Sequence, residues 1–517
     1  MAKAIMIQGT GSYVGKSLLC AGLCRLLRQE GWRVAPFKAQ NMALNSFVTA
    51  DGGEIGRAQA VQAEAAGLDP TVDMNPVLLK PGSDTDAQVV LRGRVWGRVR
   101  AADSARFLAA AWPAVQESYA RLAAGHEVVV IEGAGSPAEV NLRERDIVNM
   151  RVAHLADAPV LLVGDIDRGG VFAALVGTLE LLPGEDRDRV RGFVINKFRG
   201  ERALLDPGLR TLQERTGRPV LGVIPYLPDL AIPEEDGVSL EDSLARRRGR
   251  EAAVRVGVIL LPHIANFTDF DALAAEEEVG LRYVTRADEV ADLDAVILPG
   301  SKNTIEDLLW LRGRGLAGAI RRLGESGAPV VGICGGFQML GRRIEDPRRM
   351  ETDLGGMDGL GLLDVATTLG GEKATFRVRV QGAEGTPFAG VGPAVGYEIH
   401  LGETTRGPAA GPVFRLRRQG DGHAEVLDGA MAPGGRVWGT YVHGLFDDGA
   451  MRRAFVNGLR AGKGLPPAEW PAGPPAGAAR SAAYDRLAAT LRRHLDIAAV
   501  RSLVNLPFRE EVVAPGL

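Results

Sequence analysis

A chain of 517 residues exceeds the roughly 250–300 at which single cores stop growing, so two or more domains are expected. Its 46% hydrophobic and 24% charged residues are those of a globular protein with sizeable packed cores, and leave no room for extensive disorder. A formal net charge of -3 gives no general attraction to nucleic acid or to an anionic membrane surface, so neither is expected as a partner.

The N-terminal run Ala4-Ile5-Met6-Ile7 ends at glycine too soon for a signal-peptide core. No later apolar run reaches the roughly 18 residues of a membrane span, so the protein is expected to be neither exported nor embedded. That first run, Val128 to Ile131, Val160 to Val163, Gly192 to Ile195 and Val220 to Ile224 are short apolar segments separated by longer amphipathic ones. This alternation predicts buried parallel strands in a doubly wound α/β sheet, whose ligands sit beyond the C-terminal strand ends.

Gly9-Thr10-Gly11-Ser12-Tyr13-Val14-Gly15-Lys16-Ser17 follows the first strand and precedes a helical stretch from Leu18 to Leu27. Such glycines let backbone N–H groups turn onto phosphate oxygens, and the helix N-terminus favours their charge. Gly9, Thr10, Gly11, Gly15, Lys16 and Ser17 are therefore expected to hold ATP, with Lys16 on the outer phosphates and the Ser17 hydroxyl on Mg²⁺. One residue more than the strict pattern separates Gly9 from Gly15, a spacing that resembles the dethiobiotin-synthetase-like branch of phosphate-loop proteins. Cys20 and Cys24, at i and i+4 in the helix, are expected core residues. With Cys334 far along the chain, the three cysteines make no disulfide framework or zinc set, which fits a reducing cytoplasm.

Glu132 ends the Val128–Ile131 run just before Gly133-Ala134-Gly135, where a second Mg²⁺ contact is needed; an ordinary strand-end carboxylate is the alternative. Asp51, in Thr49-Ala50-Asp51-Gly52-Gly53, is a further metal candidate, matched evenly by a solvated turn.

The pattern collapses into charge around Ala245 to Glu251, so residues 236–252 are expected to link a synthetase domain, 1–235, to a second α/β domain, 253–450. In the latter, Val254 to Leu261, Ala295 to Leu298 and Pro329 to Ile333 predict strands, followed by a β-rich part through Thr375 to Val380 and Val437 to Val442. Residues 451–517, with helical spacing from Ser481 to Leu495, are expected as a tail packed on the body.

Pro329 to Ile333 leads into Cys334-Gly335-Gly336-Phe337-Gln338, a strand, a tight turn bearing a thiol, and a helix start. Such an elbow exposes the thiol near a helix N-terminus and presents the Gly335 N–H to an oxyanion. His443, at the end of the Trp438 to Val442 run, is the expected base. The pair resembles a class I glutamine amidotransferase, in which cysteine attacks the glutamine amide and releases ammonia. That resemblance makes Gly300-Ser301 the source of the second oxyanion donor. Many members of that class carry glutamate two positions after the histidine, where this chain has Leu445. The orienting role is left unassigned, with Glu398 as one option.

Phe37 to Ser46, Asp73 to Pro81, Asn196 to Gly200, Pro262 to Phe270, Pro299 to Thr304 and Gly396 to Gly402 together resemble the cobyric acid synthase family along almost the whole chain. The resemblance implies amidation of the b, d, e and g carboxylates of adenosylcobyrinic acid a,c-diamide, with glutamine as nitrogen donor and ATP as activator. A corrinoid polycarboxylate needs cations near the ATP site, and Lys38, Lys80, Lys197 and Arg199 are candidates, against ordinary surface charges. Asp146 is a candidate for positioning ammonia or substrate, against a helix-surface salt bridge. Cobyrinate a,c-diamide synthase shares both domain types and is the alternative. A ParA-like nucleotide switch is a more remote one, and it leaves Cys334 and His443 without a role.

Overall fold

β-Branched apolar runs gain most when both sheet faces are covered, and here they assemble accordingly. The computed structural model describes residues 2–82, 86–100, 104–228, 230, 232–233, 252–420, 424–468 and 477–509. Strands β1 (Lys3–Gly9), β2 (Val34–Phe37), β3 (Val128–Glu132), β4 (Val160–Asp165), β5 (Val190–Phe198) and β6 (Val220–Pro225) form one parallel sheet in the order β6-β5-β4-β1-β3-β2. In this sheet only β2 escapes the sequence reading. It is a four-residue edge strand containing Pro36, and an edge tolerates the missing N–H.

A second sheet contains β7 (Val254–Ile259), β8 (Val279–Val284), β9 (Ala295–Leu298), β10 (Val330–Ile333), β11 (Ala430–Met431) and β12 (Val437–Thr440), ordered β8-β7-β9-β10-β12-β11. All its pairs are parallel except β11–β12. Beside it stands a five-stranded antiparallel sheet that includes Ala374–Gly382, Ala394–His400 and Val442–His443. The fold is thus α/β, a doubly wound parallel sheet followed by a second, largely parallel sheet with an antiparallel one beside it. The charged run at 245–251 lies outside the described residues.

Helix α1 (Lys16–Gln29) covers the first sheet. The segment after 477 returns to it: α3 (Ala478–His494) buries Tyr484, Leu487 and Leu491 in one core with Leu19, Leu23 and Leu27 of α1. A Cβ on Gly22 would lie 2.6 Å from Leu491 Cδ1, so the two helices cross closely here. Arg25 Nε donates to Asp485 across it at 2.7 Å.

The two sheets meet through a hairpin of Ser46–Val48 and Glu54–Gly56, followed by helix α2 (Arg57–Ala66). Thr375 Oγ1 donates to Gly52 O at 2.7 Å and Arg377 Nε to Val48 O at 2.8 Å. Val48 packs with Tyr397 and Ile399. No helix among the described residues is long and apolar enough to cross a membrane.

Candidate active site

At the C-terminal end of β1 the chain turns through Gly9–Gly15 into α1. Gly15 has φ 97°, and a Cβ there would lie 2.1 Å from Asn196 Nδ2, so both the backbone and the space demand glycine. Thr10 N donates to Val163 O at 2.9 Å, anchoring the loop to β4. Lys16 Nζ bends over the loop to Gly11 O at 2.7 Å and Gly135 O at 3.2 Å.

Glu132, at the end of β3, faces this loop. Its carboxylate accepts from Ser17 Oγ and Lys38 Nζ, each at 2.8 Å, and from Gln62 Nε2 at 2.5 Å. Burial pushes this carboxyl up, but the charge of Lys38 and the hydrogen bonds from Lys38, Gln62 and Ser17 outweigh it and hold it below its ordinary range. Mg²⁺ takes one or two protein oxygens and otherwise phosphate and water oxygens, so Ser17 Oγ and Glu132 fit it as a pair. Lys38 already neutralises one of those oxygens.

A cavity of about 1070 Å³ opens beside the loop, lined among others by Lys16, Ser17, Lys38, Glu132, Asp146, Lys197 and Arg199. Lys197, at φ 59°, donates to Tyr13 O at 2.7 Å and Asp165 Oδ2 at 2.8 Å. Arg199 lies 3.5 Å from the Tyr226 ring centroid and bonds Asp167 at 3.0 Å. Asp146 accepts the backbone N–H groups of Val148 at 2.8 Å and Asn149 at 2.9 Å, and burial raises its pKa. It folds its own turn at the cavity wall.

Two expected residues stand elsewhere. Lys80 is buried between the sheets, donating to Glu54 at 2.7 Å and Ser46 Oγ at 2.8 Å. Asp51 sits at the tip of the interdomain hairpin, hydrogen-bonded by Thr49 Oγ1. Neither lines the cavity.

The thiol stands on a strained elbow. Cys334, between β10 and the helix Gly335–Leu340, has φ 52° and ψ -111°, where a non-glycine residue persists only if its surroundings impose it. Gly336 permits the turn, since a Cβ there would lie 2.0 Å from Leu298 O. Cys334 Sγ lies 3.4 Å from Ile399 O. The Gly300–Ser301 strand runs between thiol and histidine: a Cβ on Gly335 would be 2.9 Å from Ser301 N, and one on Gly300 3.3 Å from His443 Cε1. The Gly335 and Gly300–Ser301 backbones thus approach one another closely beside the thiol and the histidine.

The buried imidazole of His443 places Nδ1 2.7 Å from Asp269 Oδ2, and Gly444 N donates to Asp269 Oδ1 at 2.9 Å. Burial depresses the imidazolium, but Asp269 and Cys334 outweigh it and push the pKa up to about 10. Sequence reasoning missed Asp269, although the Pro262–Phe270 motif contains it. Glu398 instead pairs with Arg418 at 2.7 Å and His400 at 3.7 Å, and Leu445 is buried core. A carboxylate, a histidine and an elbow thiol thus stand together, an arrangement able to generate a nucleophilic thiolate.

Residues 5–240 match the CobQ/CobB/MinD/ParA nucleotide binding domain, and residues 255–451 match the CobB/CobQ-like glutamine amidotransferase domain. This pairing on one chain defines a glutamine-dependent amide ligase. Cobyric acid synthase of Pelotomaculum thermopropionicum is 51% identical over 98% of this chain and 97% of the relative. The same enzyme of Syntrophobacter fumaroxidans is 48% identical, over 98% of this chain and 99% of the relative. That of Moorella thermoacetica is 51% identical over 98% of both. The chain belongs to the cobyric acid synthase family.

Proposed function

We propose that the protein amidates the b, d, e and g carboxylates of adenosylcobyrinic acid a,c-diamide to give cobyric acid, consuming glutamine and ATP in the cytoplasm. Residues 1–235 serve as the synthetase domain, 253–450 as the glutaminase, and 451–517 as a tail packed on the body. Near 50% identity along 98% of the chain to cobyric acid synthases is the observation that carries this reading.

In the glutaminase, His443 Nε2 takes the proton of Cys334 Sγ, while Asp269 holds Nδ1–H and so fixes the tautomer. The thiolate attacks the side-chain amide carbon of glutamine. The oxyanion faces the Gly335 N–H and the Gly300–Ser301 backbone. The C–N bond then breaks, ammonia leaves with the proton returned from His443, and water hydrolyses the thioester to glutamate.

In the synthetase, the loop glycines and Lys16 hold the ATP phosphates. A substrate carboxylate oxygen attacks the γ-phosphorus and ADP leaves. Ammonia then attacks the acyl carbon and expels phosphate, which carboxylate and ammonia alone do not accomplish in water. Mg²⁺ bound at Ser17 and Glu132 would neutralise charge on the β and γ phosphates. Lys38, Lys197 and Arg199 line the cavity as cations for the polycarboxylate, and Asp146 shapes its wall.

The test is mass analysis of the a,c-diamide incubated with enzyme, ATP and glutamine, counting oxygen-for-NH replacements. Amidation at more than one further carboxylate is expected. Consumption only of cobyrinic acid lacking the a,c-amides would assign the reaction of cobyrinate a,c-diamide synthase instead.

A further inference from the structure

His443 is flanked on two sides by groups whose positions are set from outside the amidotransferase body. On one side the Tyr397 ring lies parallel to the imidazole, with centroids 5.3 Å apart and planes 19° apart. Its hydroxyl accepts a 2.6 Å hydrogen bond from Arg57 Nη2, whose guanidinium also lies over the Phe47 and Tyr397 rings at 5.0 and 5.5 Å. Arg57 is the first residue of α2, in the synthetase body. On the other side Asn266 Nδ2 lies 3.4 Å from His443 Nε2, the nitrogen that must meet the thiol. Ser46 N donates to Asn266 Oδ1 at 2.8 Å, which turns the amide NH₂ toward the histidine. Asn45 Oδ1 accepts from Phe267 N at 3.1 Å, steadying the turn that carries Asp269.

These outside groups are fixed by the phosphate site. Arg57 N donates to Asn45 O at 3.2 Å, which locks the two arms together. Five residues along α2, about 7–8 Å at helical rise, Gln62 donates to Glu132 at 2.5 Å and to Ser17 O at 3.3 Å. At the far end Glu64 accepts from Tyr484 at 3.0 Å and Arg480 at 3.1 Å of α3. The helix is therefore held along its length, and Arg57 meets Tyr397 from a rigid mount.

We propose that the synthetase body completes the glutaminase site, with Arg57 as a positioning residue that holds the His443 imidazole in line with Cys334 through Tyr397. The planar fork of arginine serves this role because it stacks on a ring and hydrogen-bonds its hydroxyl together, which an ammonium cannot do. The inference rests on the reading of Cys334 and His443 as the glutaminase pair.

The test compares full-length Arg57→Met, Arg57→Lys and Tyr397→Phe with wild type in glutamine hydrolysis, in ammonia-driven amidation, and in the pH dependence of Cys334 alkylation by iodoacetamide. Arg57→Met should lower the glutaminase kcat about ten- to hundredfold, as misplacement of a reacting group does, with KM for glutamine within about twofold. Its alkylation should slow, because a displaced imidazole no longer stands ready to take the thiol proton. Arg57→Lys should recover part of the loss and Tyr397→Phe should show a smaller one, with ammonia-driven amidation retained in all. A wild-type kcat and alkylation profile in Arg57→Met would overturn the proposal. So would equal loss of both activities in Arg57→Met and Tyr397→Phe, which would mark general destabilisation. Cys334→Ala separates this from the underlying reading: if it still hydrolyses glutamine, the assignment of the pair fails; if it is silent while Arg57→Met is unimpaired, only the positioning role fails.

Discussion

Asp269 Oδ2 lies 2.7 Å from Nδ1 of His443, although 174 residues separate them. Both side chains are buried, and the carboxylate is further held by the Gly444 N–H at 2.9 Å. The contact gives the histidine a single tautomer and a stabilised imidazolium. Asp269→Asn preserves the shape but offers an amide in place of the carboxylate. Glutamine hydrolysis should fall about 10²- to 10⁴-fold, with ammonia-driven amidation unchanged, in parallel steady-state assays. A near-normal rate would show that Cys334 and His443 work without Asp269.

Glu132 receives Ser17, Lys38 and Gln62 at one strand end. Glu132→Gln removes the anion that a cation beside the phosphates would bind and leaves Lys38 without its counter-charge. ATP turnover should need markedly more Mg²⁺, while glutaminase activity stays largely intact. A Mg²⁺ titration of ADP release measures this, and unchanged turnover at limiting Mg²⁺ would remove Glu132 from the site.

Much of this architecture is legible in local sequence. A phosphate loop and a thiol elbow are continuous segments in which glycines mark a left-handed turn or a close approach, as Gly15 and Gly336 do here. Strands buried on both faces announce themselves by apolar runs, whereas Val279–Val284, mixing buried and half-buried residues at the sheet edge, has no such run. What local pattern cannot carry is pairing at a distance. Asp269 lies in a one-turn helix of the Phe267–Phe270 segment, and nothing in its neighbours points to His443. Lys80 has the motif context of a substrate cation, yet its partner Glu54 draws it into the domain interface.

That interface holds a buried charge cluster in which Glu54 accepts from Lys80 at 2.7 Å and Lys373 at 2.5 Å. Burial opposes ionisation of Glu54, but the two lysines outweigh it and hold the carboxyl far below its ordinary value. Glu54→Gln leaves two buried ammonium groups without their anion and should cost about 3–5 kcal/mol, read from urea unfolding near neutral pH. The depressed pKa means this contribution is present above the ordinary carboxyl range and is lost as pH falls through the native value. A cost below about 1 kcal/mol, the range of exposed pairs, would contradict the burial of this pair.

Glu351 presents the opposite sign. Burial raises its pKa to about 7, against Lys302 and a 2.7 Å hydrogen bond from Thr304 N. From the ordinary carboxyl value up to about 7 the native state retains a proton that the unfolded chain has released, so stability should decline as pH rises through that window. Glu351→Gln should abolish up to about 3 kcal/mol of that decline, measured by urea unfolding at about pH 5 and about pH 8. An identical pH dependence in the variant would mean that Glu351 is ionised in the native protein throughout.

The division of labour between the two sites is tested most directly by amidation rates with glutamine and, separately, with ammonium at raised pH, in folded Cys334→Ala and Lys16→Ala proteins. Cys334→Ala should lose glutamine-dependent amidation and keep the ammonia-driven reaction, because the thiol only generates ammonia. Lys16→Ala should lose both, because phosphoryl activation of the carboxylate is needed whatever the nitrogen source. Loss of the ammonia-driven reaction in folded Cys334→Ala protein, or its survival in Lys16→Ala, would contradict the two-site account.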